Sequence, residues 1–214
     1  MKTSFKAVII TLAAVVVLGI GGIVYALNQR AAAPAGDAET IRSDTHVLDE
    51  GGADAVTVVE FLDFECPSCG AFYPIVEDLR EKYDGEITYA VRYFPLPGHV
   101  NSTQAALAAE AAAQQGRFED MYDALFTTQS QWGMKVTEES PELFRAFAEE
   151  IGLDMAAYDA AVADPATLER VRSDKADGEA LGVQSTPTFF VDGEMLRLQD
   201  WGDLEAAIEK AVNG

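Results

Sequence analysis

The chain has only two cysteines and two histidines in 214 residues, and 15 basic side chains against 36 acidic ones. Each shortage narrows the function. Two cysteines cannot build a disulfide-stapled scaffold, and a bridge between Cys66 and Cys69 would close so short a loop that it removes almost no entropy from the unfolded chain. A metal at this pair would need further ligands, with only His46 and His99 left among the histidines and carboxylates needed to complete the set, so no metal is expected there. A formal net charge of −21 excludes nucleic acid as a partner and opposes adsorption to anionic headgroups; its simplest role is solubility. No internal repeat is evident, which removes solenoids from consideration.

One long apolar run is present. Ala7 to Leu27 is 21 residues without a charge, which as a helix spans ~31 Å, about one hydrocarbon thickness. Lys2 and Lys6 precede it and the acidic bulk follows, so the positive-inside bias puts the N-terminus in the cytoplasm and everything after Arg30 outside. A cleaved signal peptide is the alternative, but its apolar core is usually shorter, and the cleavage-like Ala31-Ala32-Ala33 runs into Pro34. We therefore expect a single-pass anchor over residues 1–28, held in the lipid bilayer through 7–27, with the remainder exported on either reading. Residues 29–54 are rich in Ala, Gly and acidic side chains, lack apolar periodicity, and read as a flexible acidic linker.

From Val56 the pattern becomes that of a folded domain, expected over 55–214. Val56 to Leu62 is a β-branched and aromatic run suited to a buried strand. Phe72, Ile75, Val76 and Leu79 recur at helical spacing after Pro67, and Asp84-Gly85 ends that helix. Ile87, Tyr89, Val91 and Tyr93 alternate as a second strand, completing a βαβ unit. From about 99 to 182 there is no strand signal but a succession of helical patterns punctuated by Gly and Pro, an all-helical insert. The charges Glu169, Arg170 and Asp174 in its last helix read as a solvated face. Thr188–Val191 and Met195–Leu198 are expected as a hairpin about Asp192-Gly193, and Trp201, Leu204, Ile208 and Ala211 mark a C-terminal helix.

Cys66-Pro67-Ser68-Cys69 lies between the first strand and its helix. A cysteine at a helix N-terminus has its thiolate stabilised by unpaired backbone N–H groups and the positive end of the helix dipole, so its pKa falls. The dipole, worth up to ~2 kcal/mol, lowers that pKa by about one to one and a half pH units. Pro67 suits the first helical position, where its missing N–H costs nothing. Cys69 lies one turn further on the same face, within reach of a disulfide. Such a pair performs thiol–disulfide exchange, and an exported location permits a working disulfide.

Phe61-Leu62-Asp63-Phe64-Glu65-Cys66-Pro67-Ser68-Cys69, with Ser185-Thr186-Pro187-Thr188-Phe189-Phe190-Val191-Asp192-Gly193 downstream, resembles the thioredoxin superfamily. The insert, with Phe94-Pro95-Leu96, His99, Asn101-Ser102, Gln115-Gly116-Arg117-Phe118 and Asp123-Ala124-Leu125-Phe126, resembles its DsbA-like branch. The resemblance implies an α/β thioredoxin-like fold interrupted by a helical subdomain. It implies Cys66 as the accessible attacking or attacked sulfur, Cys69 as the buried resolving one, and Glu60 as a buried acid that shuttles the Cys69 proton. It also implies a cis peptide bond at Pro187, where a client backbone would dock beside Thr186, with Pro67 and Ser68 on the same surface. His99 is implied to be structural, while Asp63 and Glu65 read as exposed flanking charges. Trp132 and Tyr158 read as core rather than groove. The implied partners are exported proteins with cysteines and a membrane redox partner; no cofactor is implied. Ser68 in place of the histidine of the most oxidising relatives suggests a milder oxidant. A reductase or isomerase, or a peptide-binding module with incidental thiols, stands as the alternative.

Overall fold

The computed structural model describes residues 39–133 and 137–214. The anchor read at 7–27 lies outside the described residues, and among those no helix is long and apolar enough to cross a membrane. The elements follow one another as β1 (His46–Asp49), β2 (Val56–Leu62), α1 (Pro67–Lys82), β3 (Ile87–Tyr93), α2 (Ser102–Ala113), α3 (Phe118–Trp132), α4 (Pro141–Glu150), α5 (Met155–Ala163), α6 (Pro165–Ala180), β4 (Thr188–Val191), β5 (Glu194–Met195) and α7 (Asp203–Val212).

The strands form one mixed sheet in the order β1-β3-β2-β4-β5. β2 is central, parallel to β3 and antiparallel to β4, and every residue in it except Thr57 is buried. A strand covered on both faces favours apolar side chains on both, which is why Val56 to Leu62 does not alternate with polar residues; the buried Glu60 is the exception. One face carries the larger core, in which Val58, Leu62, Tyr89 and Phe189 meet Phe72, Val76 and Leu79 of α1 and the helical insert. The other face carries Val59, Phe61, Ala90, Phe94, Val183 and Phe190.

α2 is the axis of the insert, touching α3, α4, α5 and α6. Its alanines 105, 106, 108, 109, 111 and 112 are all buried, and their small size lets four neighbouring helices crowd around it. α6 approaches the sheet so closely that a Cβ on Gly178 would lie 2.7 Å from a ring carbon of Phe94 and 2.9 Å from one of Phe61.

Three expectations are corrected. The linker read over 29–54 contains β1, which pairs antiparallel with β3. Its attachment rests on polar and aromatic anchors rather than on an apolar period. His46 stacks on Phe118 at 4.1 Å and bonds Glu110 at 2.8 Å, Arg42 reaches Asp177 at 2.7 Å, and the Glu39 carbonyl accepts from Arg92 at 2.7 Å. The hairpin strand expected at Met195–Leu198 is shorter, Glu194–Met195. The turn itself has the left-handed Asp192 and Gly193 that a tight hairpin needs.

The third correction concerns α6, whose charges are not all solvated: Asp174 is wholly buried and Arg170 largely so, while Glu169 is exposed. Asp174 accepts from Arg92 Nε at 2.7 Å and from the Tyr93 backbone N–H at 3.1 Å, and Arg92, also wholly buried, bonds Asp177 at 2.6 Å. The pair bolts α6 to the middle of the sheet. Removing one member of a buried ion pair strands the other. Asp174→Ala should therefore cost about 3–5 kcal/mol in urea unfolding, whereas Glu169→Ala on the exposed face should stay within about 0.5 kcal/mol.

Candidate active site

β2 delivers the chain to a tight turn, Asp63 to Cys66, closed by the Cys66 N–H to the Asp63 carbonyl at 3.0 Å. The Asp63 side chain supports the turn from within. One oxygen accepts the Glu65 N–H at 2.9 Å, and the other accepts the Leu96 N–H at 2.9 Å and lies 2.7 Å from His99 Nδ1. Glu65 accepts the Asn101 N–H at 2.6 Å. Asp63 and Glu65 are thus buried, 1% and 2% exposed, and not flanking surface charges. Carboxylates can be kept from water here because backbone N–H groups that would otherwise be orphaned in the turn and at the start of α2 take up their lone pairs. His99 is one of these supports, in keeping with a structural role.

Cys66 is the N-cap of α1, with extended backbone and Pro67 in the first turn. Pro67 and Ser68 are exposed; Cys66 is 6% exposed and Cys69 1%, both as free thiols. Cys66 is more covered than a freely accessible sulfur, because the Ser185–Thr188 segment lies across it. Cys66 Sγ lies 3.4 Å from the Thr186 carbonyl, to which only its thiol form can donate, and the Thr186–Pro187 peptide bond is cis. Pro187 carries no N–H, so the backbone there leaves the edge open beside the sulfur.

The electrostatics separate the two sulfurs. A hydrogen bond from the Cys69 thiol, the contact with Thr186 and the N–H groups of Cys69 and Ser68 outweigh burial and bring the Cys66 pKa down to about 5. The largest contribution is the neighbouring thiol rather than the helix terminus considered alone. Burial pushes Cys69 far up, and donation to Cys66 and the nearby Glu60 push it the same way. Glu60, 2% exposed on β2, is raised to about 8 by burial, against the bond it accepts from the Tyr89 hydroxyl at 2.6 Å. At neutral pH the site therefore holds a Cys66 thiolate, a Cys69 thiol and a largely protonated Glu60 carboxyl.

The fold brings Cys66, Cys69, Glu60, Thr186 and Pro187 near one another, with Pro67 and Ser68 exposed beside them. Trp132 and Tyr158 are buried. Tyr89 went unnoticed in the sequence, where it looks like any alternating strand aromatic. Its position two strand residues from Val91, which faces Glu60 across the parallel ladder, was the available signal.

A helix-tip dithiol opposite a proline-bearing edge on a mixed sheet defines a thioredoxin-type redox domain. The family model described as Thioredoxin matches residues 45–210, so the chain belongs to the thioredoxin family, and its fold is that of solved DsbA structures. It is similar to a thioredoxin-like oxidoreductase from Silicibacter pomeroyi, at 28% identity and TM-score 0.67, over 84% of this chain and 98% of that one. BdbD from Bacillus subtilis shares the fold at TM-score 0.69 and 24% identity, over 79% of this chain and 94% of that one. A protein named Na(+)/H(+) antiporter NhaA from Herminiimonas arsenicoxydans is 40% identical over 148 residues, 69% of this chain. This chain spans only 22% of that relative's length.

Two measurements check the electrostatics. Alkylation of Cys66 should titrate with a midpoint near pH 5, and Cys69→Ala, which removes the largest stabilising donor, should move that midpoint upward. Because folded Glu60 holds its proton up to about pH 8, the folded state binds more protons than the unfolded chain from about pH 4.5 upward, and stability falls over that window. Glu60→Gln should remove this slope and raise stability near pH 8 by roughly 4 kcal/mol or less.

Proposed function

We propose that the domain is an extracytoplasmic protein disulfide oxidase, held at the membrane by its N-terminal segment, that passes the Cys66–Cys69 disulfide to cysteines of exported proteins. The observation that carries this reading is the stabilised Cys66 thiolate beside a protonated Cys69. A stabilised thiolate favours the reduced enzyme and so makes the disulfide a stronger oxidant. With a folded pKa near 5 and an ordinary thiol near 9, ionisation stabilises the reduced form at pH 7 by about 3 kcal/mol, or about 60 mV for two electrons.

The steps balance as follows. A client thiolate attacks Cys66 Sγ of the disulfide, a client–Cys66 bond forms, and Cys69 leaves as a thiolate. That buried sulfur takes the proton of Glu60, whose carboxyl is still protonated at neutral pH. A second client thiolate then attacks the client sulfur of the mixed disulfide, and Cys66 departs as the thiolate the site is built to hold. The client loses two electrons and two protons: the electrons pass to the enzyme's two sulfurs, one proton restores Glu60 and the other goes to solvent, and a membrane redox partner restores the disulfide. Tyr89 keeps Glu60 oriented through its hydroxyl. The open edge at Thr186 and Pro187, with Pro67 and Ser68 beside it, offers the client a backbone to lie against. Occurrence of a related domain in proteins named as Na(+)/H(+) antiporters supports a place at a membrane for this one.

Cys69→Ala should accumulate client–Cys66 mixed disulfides, and Cys66→Ala should abolish exchange. Equilibration of the full chain with a glutathione buffer should give a potential closer to −120 mV than to −270 mV, the reference oxidase and reductase couples. A value at the lower end would favour the reductase, and ligand binding without exchange would favour a peptide-binding module.

A further inference from the structure

The turn that presents Cys66 receives a side chain from α3. Gln129, near the end of α3, donates from Nε2 to the Phe64 carbonyl at 2.7 Å and to the Cys66 carbonyl at 2.9 Å. Only an amide nitrogen, with two N–H groups, can serve two carbonyls at once, so the network itself fixes which end of the amide points at the turn. The Cys66 carbonyl also accepts the Gly70 N–H at 3.1 Å, the first rung of α1.

The amide has space because residue 70 has no side chain: a Cβ there would lie 2.2 Å from Gln129 Oε1. Its platform is firm. Trp132, one turn further along α3, is wholly buried with its ring 4.9 Å from that of Phe144, and its carbonyl accepts from Asn101 Nδ2 at 3.2 Å.

We infer that Gln129 is a positioning residue of the redox site: from the helical insert it clamps the carbonyls of Phe64 and Cys66 and so sets the aim of the first N–H groups of α1 at the Cys66 sulfur. The inference rests on the redox reading of Cys66. The sulfur belongs to the N-cap residue, so rotation of the peptide plane that carries the Cys66 carbonyl turns the Ser68 and Cys69 N–H groups relative to it. A plane held by Gly70 on one side and Gln129 on the other cannot rotate freely. Hydrogen bonds to a thiolate weaken steeply with misalignment, so a small rotation is felt at the sulfur.

The test compares Gln129→Met, which keeps length and loses both donors, with Gly70→Ala, which keeps Gln129 and displaces its amide. Gly70→Ala also adds a good helix former, so it probes the clamp without breaking α1, should Gln129→Met fail to fold. In the full-length reduced protein, Cys66 alkylation is followed against pH by mass, and urea unfolding is measured alongside. The alkylation midpoint should rise by about one pH unit in each single variant, with about a tenfold loss of thiolate below the wild-type midpoint. The double variant should show no further rise, because both changes remove the same contact. A wild-type midpoint retained in Gln129→Met, or in Gly70→Ala if Gln129→Met does not fold, would overturn the inference and leave the redox reading standing. Fully additive shifts in the double variant would do the same. An ordinary midpoint in the wild-type protein would overturn both.

Discussion

Keeping a negative charge on a sulfur that is almost out of water is the constraint around which this structure is arranged. Burial alone would drive Cys66 up, as it drives Cys69, and the opposite outcome requires donors that arrive from different parts of the chain. The N–H groups come from α1, the neighbouring thiol from one turn along it, and the contact with Thr186 from a segment 120 residues downstream, just before β4. Each must be in register at once. That explains the density of hydrogen bonds around the 63–66 turn, where Asp63 and Glu65 are spent on holding backbone N–H groups rather than on facing water.

The same low-dielectric environment separates three groups by protonation. Cys66 is lowered, Cys69 and Glu60 are raised, and the difference lies in who supplies donors. Cys66 receives several; Cys69 keeps its proton and donates it in a hydrogen bond to Cys66; Glu60 receives one, from Tyr89. A single bond does not offset complete burial, so the carboxyl stays protonated to about pH 8. Groups pushed apart in this way can take complementary acid and base roles at one pH. The cost falls on stability: a fold that must bury Glu60 is less stable at high pH than one with an amide there.

Much of this was legible in the sequence because it depends on local pattern. The β-branched and aromatic run of β2, the helical period after Pro67 and the Asp192-Gly193 turn each state their own conformation. What was not legible depends on partners distant in the chain. Asp174 looks like an exposed helix charge until Arg92 is found facing it from β3. Asp63 and Glu65 look like surface acids until the N–H groups of Leu96 and Asn101 close over them. β1 has no apolar period to announce it, since His46 and Arg42 fasten that segment by pairing with Glu110 and Asp177. Gln129 gave no signal at all: a glutamine near the end of an amphipathic helix is ordinary until the turn it serves is in place.

The acidity of the chain bears on the redox pair less than its size suggests. A net charge of −21 would oppose a thiolate if it acted at full strength, yet exposed carboxylates beyond about 8 Å are largely screened at physiological ionic strength. The acids nearest the motif in sequence, Asp63 and Glu65, are committed to backbone donors, so their charge is partly neutralised where it would matter most. Glu60, the acid that acts directly on Cys69, is protonated at neutral pH and contributes little field there. The potential of the couple is therefore governed by short hydrogen bonds whose geometry the fold controls. A surface can be strongly acidic, for solubility, without reaching the redox pair beneath it.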